Sequence, residues 1–130
     1  MYTRAYVAKT GVAVEVVPGV TSCCAVAVTR MMPLVAWAED LVSGPVRKNS
    51  SEDLGEILRS HDNIVLMKPS SNKKALLQAI RENHLEEHFV LVTKSGTGEE
   101  RLVTDITELE QYDIPYLSTV IIKRQVKLTP

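Results

Sequence analysis

Residues 15–22 read Glu15-Val16-Val17-Pro18-Gly19-Val20-Thr21-Ser22 and mark a point where a strand passes into a helix. The segment Val12–Val17 is mostly apolar and β-branched, which is typical of a buried strand. Pro18-Gly19 ends that strand, and Thr21 or Ser22 can cap a helix that continues to Met32. Ligands of open α/β sheets bind outside the carboxyl ends of strands, near helix N-termini. The stretch is therefore either a ligand-binding turn or a plain junction.

The composition indicates an ordinary globular protein. The chain has 130 residues, 45% hydrophobic and 24% charged, with a formal net charge of -1. A domain of this size buries about two-thirds of the surface of its unfolded chain. The near-neutral charge argues against a nucleic-acid partner. The sequence shows neither an apolar run of the ~18 residues that a membrane span needs nor an export signal, so a cytoplasmic location is expected.

The cysteines and histidines do not form a recognisable metal motif. Cys23 and Cys24 are adjacent, so on a helix they point about 100° apart and cannot bond to each other without strain. We expect two reduced thiols rather than a metal or redox pair, because no Cys-x-x-Cys spacing is present. His84 and His88 have a spacing that can hold a metal, but the sequence offers no third ligand, and a solvated helix end is favoured.

The remaining pattern predicts an α/β protein with strands and helices in mixed order. Further strands are predicted at Leu34–Ala38, Ile64–Met67, Phe89–Thr93, Glu100–Thr104 and Tyr116–Arg124. One further helix is predicted at Tyr2–Lys9, with Gly11 as its stop, and another begins after a cap at Asn49 or Ser50. A third helix buries Leu76, Leu77 and Ile80, and Thr107–Gln111 forms one helical turn.

Two loops carry candidate ligand-binding residues. Lys68, Lys73 and Lys74 surround the loop after the strand Ile64–Met67, where they could meet phosphate or carboxylate groups; the alternative is a solvated helix start. Gly96-Thr97-Gly98 is interpreted as a hairpin loop, and Glu99-Glu100 as a solvated pair. The sequence contains no Gly-x-Gly-x-x-Gly and no nucleophile motif, so the catalytic residue stays unknown.

Several segments occur in an order that matches a known family. They are Val17-Pro18-Gly19-Val20-Thr21-Ser22, a small-residue helix, Met32-Pro33-Leu34, Asn63-Ile64-Val65-Leu66-Met67-Lys68 and Ile114-Pro115-Tyr116-Leu117-Ser118-Thr119-Val120-Ile121-Ile122. In these segments the chain resembles the tetrapyrrole (corrin/porphyrin) methyltransferases over nearly its whole length. The ends of the central and last strands look most like the precorrin-2 and cobalt-precorrin-2 C(20)-methyltransferase branch, from cobalamin biosynthesis.

The resemblance implies a domain organisation. Residues 33–126 would form the carboxy-terminal mixed-sheet α/β domain, residues 1–32 a remnant of the amino-terminal α/β domain, and residues 127–130 a tail. Family members hold S-adenosyl-methionine between two such domains, and the first supplies a glycine-rich loop that this sequence lacks. The chain is therefore expected to be a carboxy-terminal portion that is inactive alone, with a full-length parent that forms a homodimer.

The resemblance also implies site residues. The positions that match cofactor contacts are Thr21, Ser22, Met67, Lys94, Ser95 and Gly96. Lys68 is the candidate contact to the carboxylates of a tetrapyrrole substrate, with Arg47 and Lys48 as further candidates. Backbone groups at strand ends can bind an adenine edge, and the apolar side chain of Met67 can pack on its face. No metal site is implied.

The implied function is methyl transfer from S-adenosyl-methionine to precorrin-2 or cobalt-precorrin-2. Such a transfer depends on positioning more than on acid–base chemistry, so it does not require a buried catalytic base. Two alternatives stay open. One is another tetrapyrrole methylase of the same pathway, and the other is a non-catalytic dimerisation or regulatory module.

Overall fold

The computed structural model describes residue 15, residues 17–47 and residues 51–128, without the side chains of residues 51 and 52. The predicted helix Tyr2–Lys9, most of the predicted strand Val12–Val17 and the predicted caps Asn49 and Ser50 lie outside the described residues. None of the helices in the described part of the chain has the length and apolar character required to cross a membrane.

The described residues form one mixed sheet with helices on both faces. The strands are β1 (Leu41–Pro45), β2 (Asn63–Met67), β3 (Phe89–Thr93), β4 (Arg101–Val103) and β5 (Ser118–Lys123). The α-helices are α1 (Ser22–Thr29), α2 (Ser51–Ser60), α3 (Lys73–Glu82) and α4 (Ile106–Gln111), and a 3₁₀-helix spans Pro69–Asn72. The predicted α/β class with a mixed sheet is confirmed.

The strand order places three strand ends side by side. The order is β1-β2-β5-β3-β4, with β1 parallel to β2, and β5 antiparallel to both of its neighbours. As a result β2 and β3 run in the same direction on either side of β5. Met67 at the end of β2 pairs with Thr119, and Thr93 at the end of β3 pairs with Ser118. The carboxyl ends of β2 and β3 therefore meet at the start of β5.

Alternate side chains of the central strands pack on opposite faces of the sheet. Ile64, Phe89 and Ile122 are fully buried with apolar residues of α2 and α3. On the other face, Val26 of α1 packs with a smaller apolar cluster formed by Val65, Val90, Val92 and Ile121. Because both faces are covered, β2, β3 and β5 have the continuous apolar runs of central strands.

The predicted strand Leu34–Ala38 is wrong. The Ala36 N–H donates to Oε2 of Glu39 at 3.0 Å, and the Glu39 N–H donates to the Ala36 carbonyl at 3.1 Å. This turn satisfies the backbone locally, and Trp37 within it has a left-handed φ of 53°. The strand lies further on, at β1, whose Gly44 and Pro45 resemble turn residues but are tolerated because β1 is an edge strand.

The other predicted elements that fall on described residues agree with the structure, with small differences at their ends. Helix α1 ends at Thr29 rather than at Met32, and Met31 has a left-handed φ of 48°. Strands β4 and β5 lie within their predicted ranges, and β4 is an edge strand as expected. Helix α4 has a cap that the sequence interpretation missed: Asp105 accepts the N–H groups of Thr107 and Glu108 at 2.7 and 3.0 Å.

Candidate functional site

A pocket of about 260 Å³ opens where β2 and β3 end and β5 begins. We call it the strand-end pocket. It is lined by Ser22, Met67, Lys68, Val92, Lys94, Ser95, Thr97, Tyr116, Leu117, Ser118 and Thr119. The lining combines an apolar floor with hydroxyl groups and two lysines. Such a mixture, in which a few polar groups orient a ligand over apolar surface, is usual for small-molecule sites.

Helix α1 begins at the pocket. Thr21 is its N-cap, and its hydroxyl oxygen accepts the Cys24 N–H at 3.5 Å. Ser22, the first helical residue, lines the pocket, so a helix N-terminus with its unpaired N–H groups lies at the pocket wall. The thiols of Cys23 and Cys24 are free, and Cys23 Sγ lies 2.9 Å from the Thr21 hydroxyl. The sequence-predicted junction is therefore a capped helix start that adjoins the pocket.

Two lysines directly follow the last residues of the parallel strands β2 and β3. Lys68 follows β2 and Lys94 follows β3, and both have left-handed φ angles, 55° and 48°. A side chain in this conformation costs about 1–2 kcal/mol relative to right-handed backbone. The turn at each lysine directs the chain out of the sheet, and both lysines line the pocket. Of these two lysines, Lys94 has its ammonium paired with Glu99 at 2.8 Å.

The loop from β3 to β4, residues 94–100, is held by hydrogen bonds within the loop and by one to Leu117. The Lys94 N–H donates to the Leu117 carbonyl at 2.7 Å, and both the N–H and the hydroxyl of Thr97 donate to the Lys94 carbonyl, at 3.1 and 2.8 Å. Gly96 has a φ of 78°, a conformation that glycine adopts without steric cost. These contacts give the wall formed by Lys94, Ser95 and Thr97 a defined shape.

The interpretation of Glu99-Glu100 as a solvated pair is correct for only one of the two residues. The Glu99 side chain is 75% exposed and accepts from the Lys94 ammonium at 2.8 Å. The Glu100 side chain is only 18% exposed, accepts the Gly96 N–H at 2.8 Å and forms an ion pair with Arg30. Hydrogen bonds from the Gly96 N–H and the Ser95 side chain, together with Arg30, lower the pKa of Glu100 below its ordinary value.

The pocket brings together Ser22, Met67, Lys68, Lys94 and Ser95 of the predicted site. Thr21 and Gly96 are next to lining residues but do not line the pocket themselves. The sequence interpretation missed Val92, Thr97 and residues 116–119. The predicted strand that starts at Tyr116 was a usable signal for residues 116–119. The antiparallel pairing of that strand between β2 and β3 was not predictable from the local sequence pattern.

The remaining basic candidates lie elsewhere. The Lys73 ammonium donates to the carbonyls of Glu110 and Tyr112, both at 2.7 Å, so it stabilises the end of α4. Arg47 lines a separate groove of about 280 Å³ between β1 and α2, together with Asp53 and Leu54. Lys48 lies outside the described residues.

The histidines show no metal arrangement. The Nδ1 atom of His88 lies 3.1 and 3.0 Å from the carbonyl oxygens of Lys123 and Val126, so its ring connects β3 to the end of β5. Within residues 15, 17–47 and 51–128, no group of three or more His, Cys, Asp or Glu side chains is placed to hold a metal ion.

The chain is similar to a curated enzyme over much of its length. It is 27% identical over 112 residues to the cobalt-precorrin-2 C(20)-methyltransferase of Salmonella typhimurium, which corresponds to 85% of this chain and 47% of that protein. The chain therefore spans about half the length of this curated relative.

The fold is similar to that of solved tetrapyrrole methyltransferases. A cobalt precorrin-4 methyltransferase matches with a TM-score of 0.69 and 20% identity, over 94% of this chain and 56% of that chain. The native uroporphyrin-III C-methyl transferase of Thermus thermophilus matches with a TM-score of 0.65 and 22% identity, over 95% and 56% of the two chains. The same enzyme complexed with S-adenyl homocysteine matches with a TM-score of 0.61.

These likenesses concern the fold, because the identities are low. Membership of the family rests on the sequence instead. The family model of the tetrapyrrole (corrin/porphyrin) methylases matches residues 1–110, well over half of the chain, and the chain therefore belongs to the tetrapyrrole (corrin/porphyrin) methylases.

Proposed function

We propose that this chain takes part in methyl transfer from S-adenosyl-methionine to precorrin-2 or cobalt-precorrin-2. The observation that carries the proposal is the strand-end pocket, which brings together five of the seven residues that the resemblance implied for cofactor and substrate. The similarity to a cobalt-precorrin-2 C(20)-methyltransferase supports the substrate. The structure of a family member complexed with S-adenyl homocysteine supports the cofactor.

The chemistry of the pocket fits S-adenosyl-methionine. Met67 is 38% exposed at the end of β2 and, with Val92 and Leu117, offers apolar surface on which an adenine ring can pack. Ser95 and Thr97 provide hydroxyl groups beside this surface. Among the described lining residues there is no carboxylate, so no lining side chain repels the carboxylate that the cofactor carries.

The volume of the pocket indicates that these residues are one wall of a larger site. Small-molecule sites usually occupy about 300–1,000 Å³. The strand-end pocket, at about 260 Å³, is smaller than that range and opens to the surface. We therefore assign to the described residues the binding of one side of the cofactor, and we propose no role for residues outside them.

The residues of the pocket would act by positioning. Bound S-adenosyl-methionine supplies an electrophilic methyl group, which a carbon of the acceptor must approach in line with the S–CH₃ bond. Met67 and the start of β5 would determine how deeply the cofactor enters the pocket. Ser95 and Thr97 would determine how the cofactor is rotated within it. Lys68 would bind a carboxylate of the tetrapyrrole, because the Lys94 ammonium already donates to Glu99.

Calorimetric titration with S-adenosyl-homocysteine tests the cofactor part of this proposal. We expect saturable binding by the folded chain, and a Lys68→Ala variant should keep it because Lys68 is assigned to the substrate. An absence of heat at millimolar ligand from a chain with a cooperative melting transition would contradict the proposal. Assay of a full-length protein containing this chain on precorrin-2 and on later corrin intermediates tests the substrate.

Another tetrapyrrole methylase of the pathway is the second candidate. It stays open because the family model that matches the chain describes tetrapyrrole methylases in general. The same assay decides between the two, because methylation of a later intermediate and not of precorrin-2 would favour this candidate. The expected homodimer and cytoplasmic location stay predictions.

A further inference from the structure

Glu100 connects two elements that border the strand-end pocket, although it does not line the pocket itself. Its Oε2 accepts the Gly96 N–H at 2.8 Å, and its Oε1 forms an ion pair with Arg30, which is the C-cap residue of α1. The two partners are 4 and 70 residues away in the sequence. One carboxylate thus joins the loop at residues 94–100 to the helix whose first residue, Ser22, also lines the pocket.

The loop needs such a contact to keep its shape. Lys94 has a left-handed φ angle, and backbone strained in this way at a residue other than glycine persists only where the surrounding structure holds it. The hydrogen bonds of Thr97 hold the loop from the inside, since both end on the Lys94 carbonyl. Within the part of the chain that the structure describes, the Gly96 N–H donates to the Glu100 carboxylate, which holds the loop from its far end.

We propose that Glu100 is a positioning residue of the cofactor site. It accepts hydrogen bonds from the Gly96 N–H and from the Ser95 side chain, and it so holds Ser95 and Thr97 in the arrangement that lines the pocket. Arg30 neutralises the carboxylate and keeps it turned toward the loop, because the pair is only partly exposed, at 34% for Arg30 and 18% for Glu100. This role rests on the proposed function, since it concerns the same cofactor.

The experiment compares Glu100→Ala and Glu100→Gln with a matched control, Glu110→Ala, in the complete chain. Glu110 also forms an ion pair, with Arg81 at 2.8 Å, but it belongs to α4 and not to the loop at residues 94–100. S-adenosyl-homocysteine is titrated by calorimetry, and hydrogen exchange of the Gly96 amide is followed by NMR. The two measurements report separately on ligand binding and on the loop.

We expect Glu100→Ala to weaken binding about tenfold, as for the loss of a hydrogen bond to a charged group, and to speed Gly96 exchange by a similar factor. Glu100→Gln should fall between Glu100→Ala and the unsubstituted chain, because its amide oxygen can still accept the Gly96 N–H while the pairing with Arg30 is lost. Glu110→Ala should bind within about twofold of the unsubstituted chain, because exposed ion pairs contribute little.

The outcomes distinguish this role from the proposed function. If the unsubstituted chain does not bind S-adenosyl-homocysteine, the proposed function fails, and unchanged Gly96 exchange in Glu100→Ala would overturn the positioning role as well. If the unsubstituted chain binds and Glu100→Ala binds equally well, the positioning role is wrong. If Glu100→Ala does not fold, Glu100→Gln and Arg30→Gln decide, and unsubstituted-level affinity in both overturns the role.

Discussion

The buried ammonium of Lys123 donates a hydrogen bond to the carbonyl of Pro33 at 2.9 Å, across 90 residues of sequence. Lys123 is the last residue of β5 and is only 3% exposed. It also lies 3.4 Å from the Leu34 carbonyl and 3.6 Å from the Glu39 carboxylate. A single side chain at the end of the central strand therefore fixes the segment that connects α1 to β1.

Replacing Lys123 should destabilise the fold. In Lys123→Met the carbonyl of Pro33 and the carboxylate of Glu39 lose a buried donor, and we expect the free energy of unfolding to fall by about 1–3 kcal/mol. Urea denaturation followed by circular dichroism measures this change. Lys127→Met, at a side chain that is 67% exposed, is the control and should change stability by less than about 0.5 kcal/mol. Equal effects of the two variants would show that the Lys123 contacts contribute nothing.

Helix α1 offers a matched pair of valines that tests how it packs on the sheet. Val26 is 1% exposed within the smaller core, whereas Val28 is 75% exposed. Val26→Ala should lower the free energy of unfolding by about 1.5–3 kcal/mol, from the loss of two buried methyl groups and the resulting cavity. Val28→Ala should be neutral or slightly stabilising, because alanine has the higher helix propensity. Thermal denaturation of both variants measures the difference. If Val26→Ala had the same melting temperature as the unsubstituted chain, the packing of Val26 against the sheet would be contradicted.

Met67 should contribute to cofactor binding but little to folding. Its side chain is partly exposed in the strand-end pocket, so Met67→Ala leaves the core intact. We expect S-adenosyl-homocysteine to bind about two- to tenfold more weakly, which is the range for losing a thioether contact with an aromatic ring. Met31→Ala is the control, since Met31 is 93% exposed and does not line this pocket. Unchanged affinity in Met67→Ala would remove Met67 from the proposed site.

The pH dependence of stability should depend on carboxylates that accept hydrogen bonds. Bonds from the Thr107 hydroxyl and from the backbone N–H groups of Glu108 and Thr107 lower the pKa of Asp105. A bond from the Asp62 N–H and the contact with His61 lower the pKa of Asp40. The lowered pKa values mean that the unfolded chain binds more protons than the folded chain in acid, so stability rises with pH in that range.

We therefore expect stability to be retained above the ordinary range of these carboxyl groups, near pH 4, and to fall as the pH drops through their lowered pKa values. Urea denaturation between pH 7 and pH 3 measures the dependence. Asp105→Asn keeps an oxygen that can accept the capping bonds but does not titrate, so its stability should fall less steeply in acid. A steeper fall in Asp105→Asn would contradict the assignment.

Local patterns were sufficient where the residues themselves determine the conformation. The apolar runs Ile64–Met67 and Phe89–Thr93 are typical of buried strands, and the helix cap was narrowed to Thr21 or Ser22 from their place before a helical run. The edge strand β1 could not be found in this way, because its Gly44 and Pro45 are turn residues that become strand residues only by pairing with β2.

The sequence by itself determined the fold class, the central strands and the family, and it predicted five of the eleven residues that line the strand-end pocket, because each of these depends on neighbouring residues or on ordered motifs. Only the tertiary structure decided that β5 lies between β2 and β3, which brings Ser118 and Thr119 to the pocket. It also decided that Glu100 pairs with Arg30 while Glu99 stays exposed. Two adjacent glutamates have the same local pattern, and the difference between them arises from long-range packing, which determines the partner that each carboxylate meets.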